Sequence, residues 1–141
     1  MLYSSTHKNT DAEKEVDQLV GKSYSFFTAI KMKGTGSKRM IVEKVSPNLQ
    51  KVVNLVADLN YGNIELRPRG IVIHITKGLK NFSWAIPYYQ LVIYRSGRFS
   101  IHADGKFVQF KSNKLLKENK KFIDKLITLK IEHTANHNFI H

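Results

Sequence analysis

Three pairs of cations sit in the middle of this 141-residue chain, each at a place where the sequence reads as a turn. Arg67 and Arg69 flank Pro68, Lys77 and Lys80 flank Gly78-Leu79, and Arg95 and Arg98 flank Ser96-Gly97. Cations gathered on loops can hold a phosphate or carboxylate through charge-assisted hydrogen bonds. Further on, Lys114, Lys117, Lys121 and Lys125 recur at spacings of three, four and four, which on a helix makes one stripe. Like charges so placed cost about 0.2–0.5 kcal/mol per pair unless they are compensated or used, and Glu118 and Asp124 offset part of this. The stripe reads either as a solvated face or as an anion-binding one. Tyr88 and Tyr89 can add stacking or an interfacial anchor, whereas Trp84 shares the parity of Phe82 and Ile86 and belongs to a core.

Other chemistry is poorly supplied. Between Ile64 and Phe110 the only acids are Glu65 and Asp104, and Asp104-Gly105 is a favoured two-residue hairpin turn. No set of nucleophile, base and orienting acid stands out, so the expectation is a protein without catalytic residues. His74 and His102 fall on the less apolar parity of their strands and lack neighbouring Cys or carboxylates, so no metal or other cofactor is expected. His133, His137 and His141 would line one face only if a helix continued through a polar tail. The run Gly34 to Lys38 lacks the first Gly of a phosphate loop and reads as a turn.

Charge is the strongest compositional fact: 23 Lys and Arg against 11 Asp and Glu, a formal net of +12. Residues 1–20 hold two of the bases and four of the acids, so the rest of the chain is more basic still. Such a field attracts nucleic acid, anionic lipid headgroups and acidic proteins, and salt screens it. The absence of cysteine removes disulfides, thiolate nucleophiles and cysteine zinc sites. Met1 to Thr10 is polar, no apolar run reaches the length of a membrane span, and the expected location is the cytoplasm.

The elements that must position these residues follow from periodicity. Thr10 to Glu13 reads as a capping box, Ala12, Val16, Leu19 and Val20 share a helical face, and Gly21 stops the helix. From Lys22 to Val45, aromatic and β-branched residues broken at Gly34–Ser37 suggest two strands, with a helix over Ser23–Lys33 as the alternative. Pro47 suits the first turn of a helix that carries Leu49, Val52, Val53, Val56 and Leu59 and ends at Asn60–Asn63. Ile64 to Phe110 alternates as an antiparallel meander, with Ile71, Ile73 and Ile75 on the apolar face. Ser112-Asn113 caps a last amphipathic helix with Leu115, Leu116, Phe122, Ile123, Leu126 and Leu129 on its apolar side. The result is one α+β domain over residues 1–141, with residues 1–9 and 134–141 as loose tails.

Trp84-Ala85-Ile86-Pro87-Tyr88-Tyr89-Gln90-Leu91, between a strand hairpin and further strands with a C-terminal helix, resembles the second half of a bacterial pleckstrin-homology-like domain over about residues 64–130. The resemblance implies a bent antiparallel sheet, or roll, plugged at one end by the last helix, and a platform for lipids, peptides or partner domains. The Pro47 helix stands outside that pattern. The expected function is a non-enzymatic binding or scaffolding module for an anionic lipid headgroup or acidic protein. A nucleic-acid-binding protein is the first alternative, and a small-ligand carrier or enzyme with a sheet–helix cavity the second. If the 77–80 and 95–98 turns converge, they make the anion pocket; in a meander alternate turns share an end, so the Pro87 corner decides.

Overall fold

The computed structural model describes residues 1–55 and 60–140, with side chains through residue 135. Eight strands form one open antiparallel sheet in the order β1-β5-β4-β3-β2-β8-β7-β6. They are β1 Leu2–Ser4, β2 Met40–Val45, β3 Tyr61–Arg67, β4 Gly70–Lys77, β5 Lys80–Pro87, β6 Val92–Tyr94, β7 Ser100–Ala103 and β8 Lys106–Phe110. Among the described residues five helices accompany it: α1 Thr10–Val20, α2 Phe26–Lys31, α3 Pro47–Val53, α4 Lys114–Lys117 and α5 Lys120–Ile140. The class is α+β, as the alternation of apolar residues implies.

The meander follows its sequence pattern. Ile71, Ile73 and Ile75 pair with Ile86, Trp84 and Phe82 across β4 and β5, and all but the partly buried Phe82 are at most 2 % exposed. Full burial of each such side chain contributes about 1.5–3 kcal/mol. Phe122, Ile123 and Leu126 of α5 and Leu49 and Val53 of α3 join that core. Val16 and Val20 of α1 pack on Val72 and Ala85, whose parity is opposite to that of the isoleucines, so α1 covers the other face. Gly70 allows this closeness, since a Cβ there would lie 2.2 Å from the Ile86 carbonyl oxygen and 2.7 Å from Val20.

Strand β2 changes partners along its length. Met40 and Ile41 pair with β3, whereas Val42 to Val45 pair with β8, and the register shifts between Val42 and Lys44. A bulge at such a place re-aims the strand and lets one sheet turn through a corner. Antiparallel alternation then sorts the connections into two ends. One end, here called upper, holds the Pro68–Arg69 turn, the Arg95–Arg98 turn and the segment Thr35–Ser37, which runs beside Ile64 and Leu66 before β2. The lower end holds α3, the Gly78–Leu79 turn and the Asp104–Gly105 turn, whose two residues both have positive φ.

Several elements differ from the sequence expectation. Asn9, not Thr10, caps α1, because its extended backbone lets Oδ1 accept the Ala12 N–H at 3.1 Å. Residues 22–45 hold one helix and one strand instead of two strands, with α2 inside the alternative helix over Ser23–Lys33; the Ser25 hydroxyl caps α2 by accepting the Thr28 N–H at 3.3 Å. Residues 1–9 are not a loose tail, since Leu2, Tyr3 and Ser4 pair with Trp84, Ser83 and Phe82. Helix α3 stops at Val53, where Asn54 takes a left-handed conformation. Its expected continuation through Val56 and Leu59 lies outside the described residues, and Tyr61–Asn63 opens β3 instead of ending a helix. The last helix is two, and its backbone runs on through residues 134–140, where a tail was expected.

Candidate anion-binding site

The sheet register places the expected cations in three kinds of surroundings. The first kind is structural. Arg67, whose side chain is only 11 % exposed, donates to Glu65 at 2.7 Å and to Asp17 at 3.1 Å, and also to the Gly21 carbonyl. Arg69 donates to the carbonyls of Asp17 and Gln18 at the C-terminal turn of α1, where a cation complements the helix dipole. Lys125 places its ammonium on the carbonyls of Met32 at 2.6 Å and Gly34 at 2.8 Å, closing the C-terminus of α2, and burial, then Lys33, lowers its pKa. Tyr88 is buried, its hydroxyl donating to the Arg67 carbonyl at 3.3 Å, and burial, then Tyr24, pushes its pKa up. These four are corrections to the expected site: their polar groups are committed to the fold.

The second kind is separation. Lys77 and Lys80 face each other beside the 94 % exposed Leu79 at the lower end, whereas Arg95 and Arg98 lie at the upper end. The meeting that the Pro87 corner was to decide does not occur: a single 3-10 turn at Tyr88–Gln90 leads out of β5 and into β6 at the sheet's far edge. Tyr89 is 65 % exposed beyond Pro87. The lysine stripe is divided as well. Lys114 and Lys117 belong to α4, and Lys121 and Lys125 to α5. Between them Asn119, 2 % exposed, accepts the Lys38 N–H at 2.9 Å and donates to the Lys38 carbonyl at 3.2 Å, which breaks the helix.

The third kind is convergence. Arg95 from the β6–β7 turn, Lys117 from α4 and Lys120 from the first turn of α5 rim one cavity of about 240 Å³, floored by Phe99, Leu116 and Ile123. Two expected sets, the turn and the stripe, thus meet in one place through one member each. Lys120 falls outside the stripe's spacing but lies three residues after Lys117 and four after Leu116, on one helical face with them, and that spacing was the available signal. Asp124 pairs with Arg95, and Glu43 lies 3.5 Å from Arg98. Three cations over a hydrophobic floor suit an anion carried next to an apolar group.

A second cavity, of about 550 Å³, opens between α1 and the sheet. Here lies a polar chain that the sequence reading missed. His74 Nδ1 meets the Ser83 hydroxyl at 2.9 Å, and Nε2 meets Glu65 Oε1 at 3.1 Å. Burial opposes ionisation of Glu65, but hydrogen bonds from His74, Arg67 and Ser23 and the charge of Arg67 outweigh it and hold the carboxyl at about 2. The order serine, histidine, carboxylate is that of a hydrolase relay. Ser83, however, is 1 % exposed and donates to Ser5 at 2.8 Å, so its hydroxyl is engaged on both sides and presents no nucleophile. The chain ties β1, β3, β4 and β5 together.

No family model, curated protein or solved structure matches the chain. The functional reading therefore rests on the chemistry of its own cavities. His74 and His102 lie apart on β4 and β7, and His102 bonds Ser100 at 3.0 Å. The His133 ring rests on Tyr88, while the side chains of His137 and His141 lie outside the described residues. Among the described residues no cluster of three or more His, Cys, Asp or Glu side chains is suited to a metal. Among them, too, no helix is long and apolar enough to cross a membrane.

Proposed function

We propose that this chain is a non-enzymatic binding module of pleckstrin-homology-like architecture that captures an anionic group borne beside an apolar one, at the upper end of its sheet. The observation that carries the reading is the cavity in which Arg95, Lys117 and Lys120 stand over Phe99, Leu116 and Ile123. Cations alone would attract any polyanion, but a hydrophobic floor rewards a ligand whose charge is attached to carbon. The architecture is supported by a sheet that changes partners at the β2 bulge and by a C-terminal helix whose Phe122, Ile123 and Leu126 enter the core. In that frame α3 is an insertion between β2 and β3, and β1, α1 and α2 are additions before β2.

Calorimetric titration with short-chain phosphatidic acid, and with short-chain phosphatidylcholine as the uncharged comparison, tests the reading. Phosphatidic acid should bind and phosphatidylcholine should not. The triple substitution Arg95→Gln, Lys117→Gln and Lys120→Gln should weaken binding by about tenfold or more, through loss of charge-assisted hydrogen bonds. The melting temperature should move little, since the Arg95–Asp124 pair is half exposed and such pairs contribute little stability. Equal binding of the two lipids, or undiminished binding by the triple variant, would reject the site.

A further inference from the structure

Helix α2 contains no buried residue. Phe26 is 74 % exposed, Phe27 77 % and Ile30 58 %, and the two rings meet each other edge-on with centroids 5.9 Å apart. Large apolar side chains grouped on an exposed face mark a place where something else is meant to dock. The helix carrying them is nonetheless held firmly. Ser25 caps its N-terminus, Lys125 reaches from α5 to close its C-terminus, and Tyr24 and Met32 on either side pack against the core. A segment none of whose residues is fully buried is thus displayed on a fixed mount.

Its surroundings specify the partner. Lys22, Lys31 and Lys33 are exposed around it, and no acidic residue occurs from Lys22 to Val42. A second copy of this chain is a poor fit, because a two-fold contact would bring those lysines against their counterparts. Three side chains on a six-residue helix also fall far short of the ~1,000 Å² that a stable protein interface buries. Duplex nucleic acid would use the lysines and leave the rings and Ile30 in water, and a single strand that stacked on the rings would still leave Ile30 uncovered. An anionic bilayer satisfies both parts, taking apolar tips into the boundary between headgroups and acyl chains and the ammonium groups among the phosphates.

We infer that α2 is a membrane anchor: Phe26, Phe27 and Ile30 insert into the interfacial layer of an anionic lipid bilayer, and Lys22, Lys31 and Lys33 hold its headgroups. The chain after α2 leads into the upper-end segment Thr35–Ser37, and Lys125 ties the helix to α5. Helix α2 therefore belongs to the upper end, which also carries the Arg95–Lys117–Lys120 cavity. The inference rests on the proposed reading of that end as an anion-binding face, and it commits the anionic partner to a membrane.

Flotation of the full chain with phosphatidylcholine vesicles, with and without phosphatidylglycerol, tests it. Binding should require phosphatidylglycerol and fall by ~100-fold in the variant Phe26→Ser, Phe27→Ser, Ile30→Ser, which removes the apolar transfer. Its circular dichroism and melting temperature should stay unchanged, since these side chains touch no core. In a Phe27→Trp variant, the introduced indole should shift its emission to the blue on anionic vesicles and be quenched by lipids brominated in the acyl chain. Undiminished flotation by the serine variant, or an unquenched indole in vesicle-bound protein, would overturn the anchor. If the serine variant floats normally while the Arg95, Lys117, Lys120 variant does not, the anchor fails and the proposed function stands. The anchor likewise fails, and the proposed function stands, if short-chain phosphatidic acid binds but anionic vesicles do not. Binding to neither rejects both.

Discussion

Glu65 is where the polar chain of the second cavity ends. It accepts from Ser23, Arg67 and His74, and with its carboxyl held at about 2 it is ionised well below the pH where a free glutamate protonates. A depressed carboxylate pKa stabilises the fold fully above the unfolded value near 4.5 and loses that contribution as pH falls toward 2. The wild-type chain should therefore lose about 3 kcal/mol across that window on this account. Glu65→Gln should be destabilised at pH 7, because Arg67 loses a charged partner, and should show a flatter pH dependence between 4.5 and 2. Urea unfolding at pH 6 and pH 3 measures both; parallel losses in the two proteins would refute the role. None of this was visible along the chain, where Glu65, His74 and Ser83 are separate letters on three strands. Their common parity shows only when Glu65 pairs with Val72 and His74 with Ser83.

Among the elements, α2 and the α4–α5 break show where periodicity ends as a guide. Ile71, Ile73 and Ile75 alternate over a whole strand, so β4 could be read directly. Phe26 to Lys31 is too short to carry a helical period, and its exposed rings follow no buried face. What decides for helix is the Ser25 cap and the Lys125 ammonium on the last carbonyls, and the second of these is 93 residues away in sequence from Met32. Lys125→Met keeps the length of that side chain and removes its donors. Amides of α2 should then exchange at least ~10-fold faster, with the sheet amides unaffected, since local opening draws on local contacts. Unchanged exchange in α2 would show that Tyr24 and Met32 suffice to hold it. The cavity at Lys120 escaped the sequence for another reason: it joins Arg95 and Phe99 to Lys117 and Lys120 across the fold, a meeting that no helical spacing displays.

At the scale of the molecule, strand alternation divides the positive charge. The turn carrying Lys77 and Lys80 opens at one end, and the cations of the candidate site, with α2, gather at the other. Composition announced the charge; only the order β1-β5-β4-β3-β2-β8-β7-β6 distributes it. That order has one more consequence, through the outermost strand. Ser5 and Ser83, which bond each other, are 78 residues apart in sequence, and β1 and α1 both rest on strands made long after them. Closing so long a loop is entropically unrewarded until β4 and β5 have paired, whereas their hairpin closes over two residues. The segment that leaves the ribosome early is thus among the last to dock, and Val16 and Val20 travel uncovered meanwhile. In refolding with pulsed amide labelling, protection of β4 and β5 should precede that of β1 and α1; simultaneous protection would mean that the amino-terminal segment takes part in nucleation.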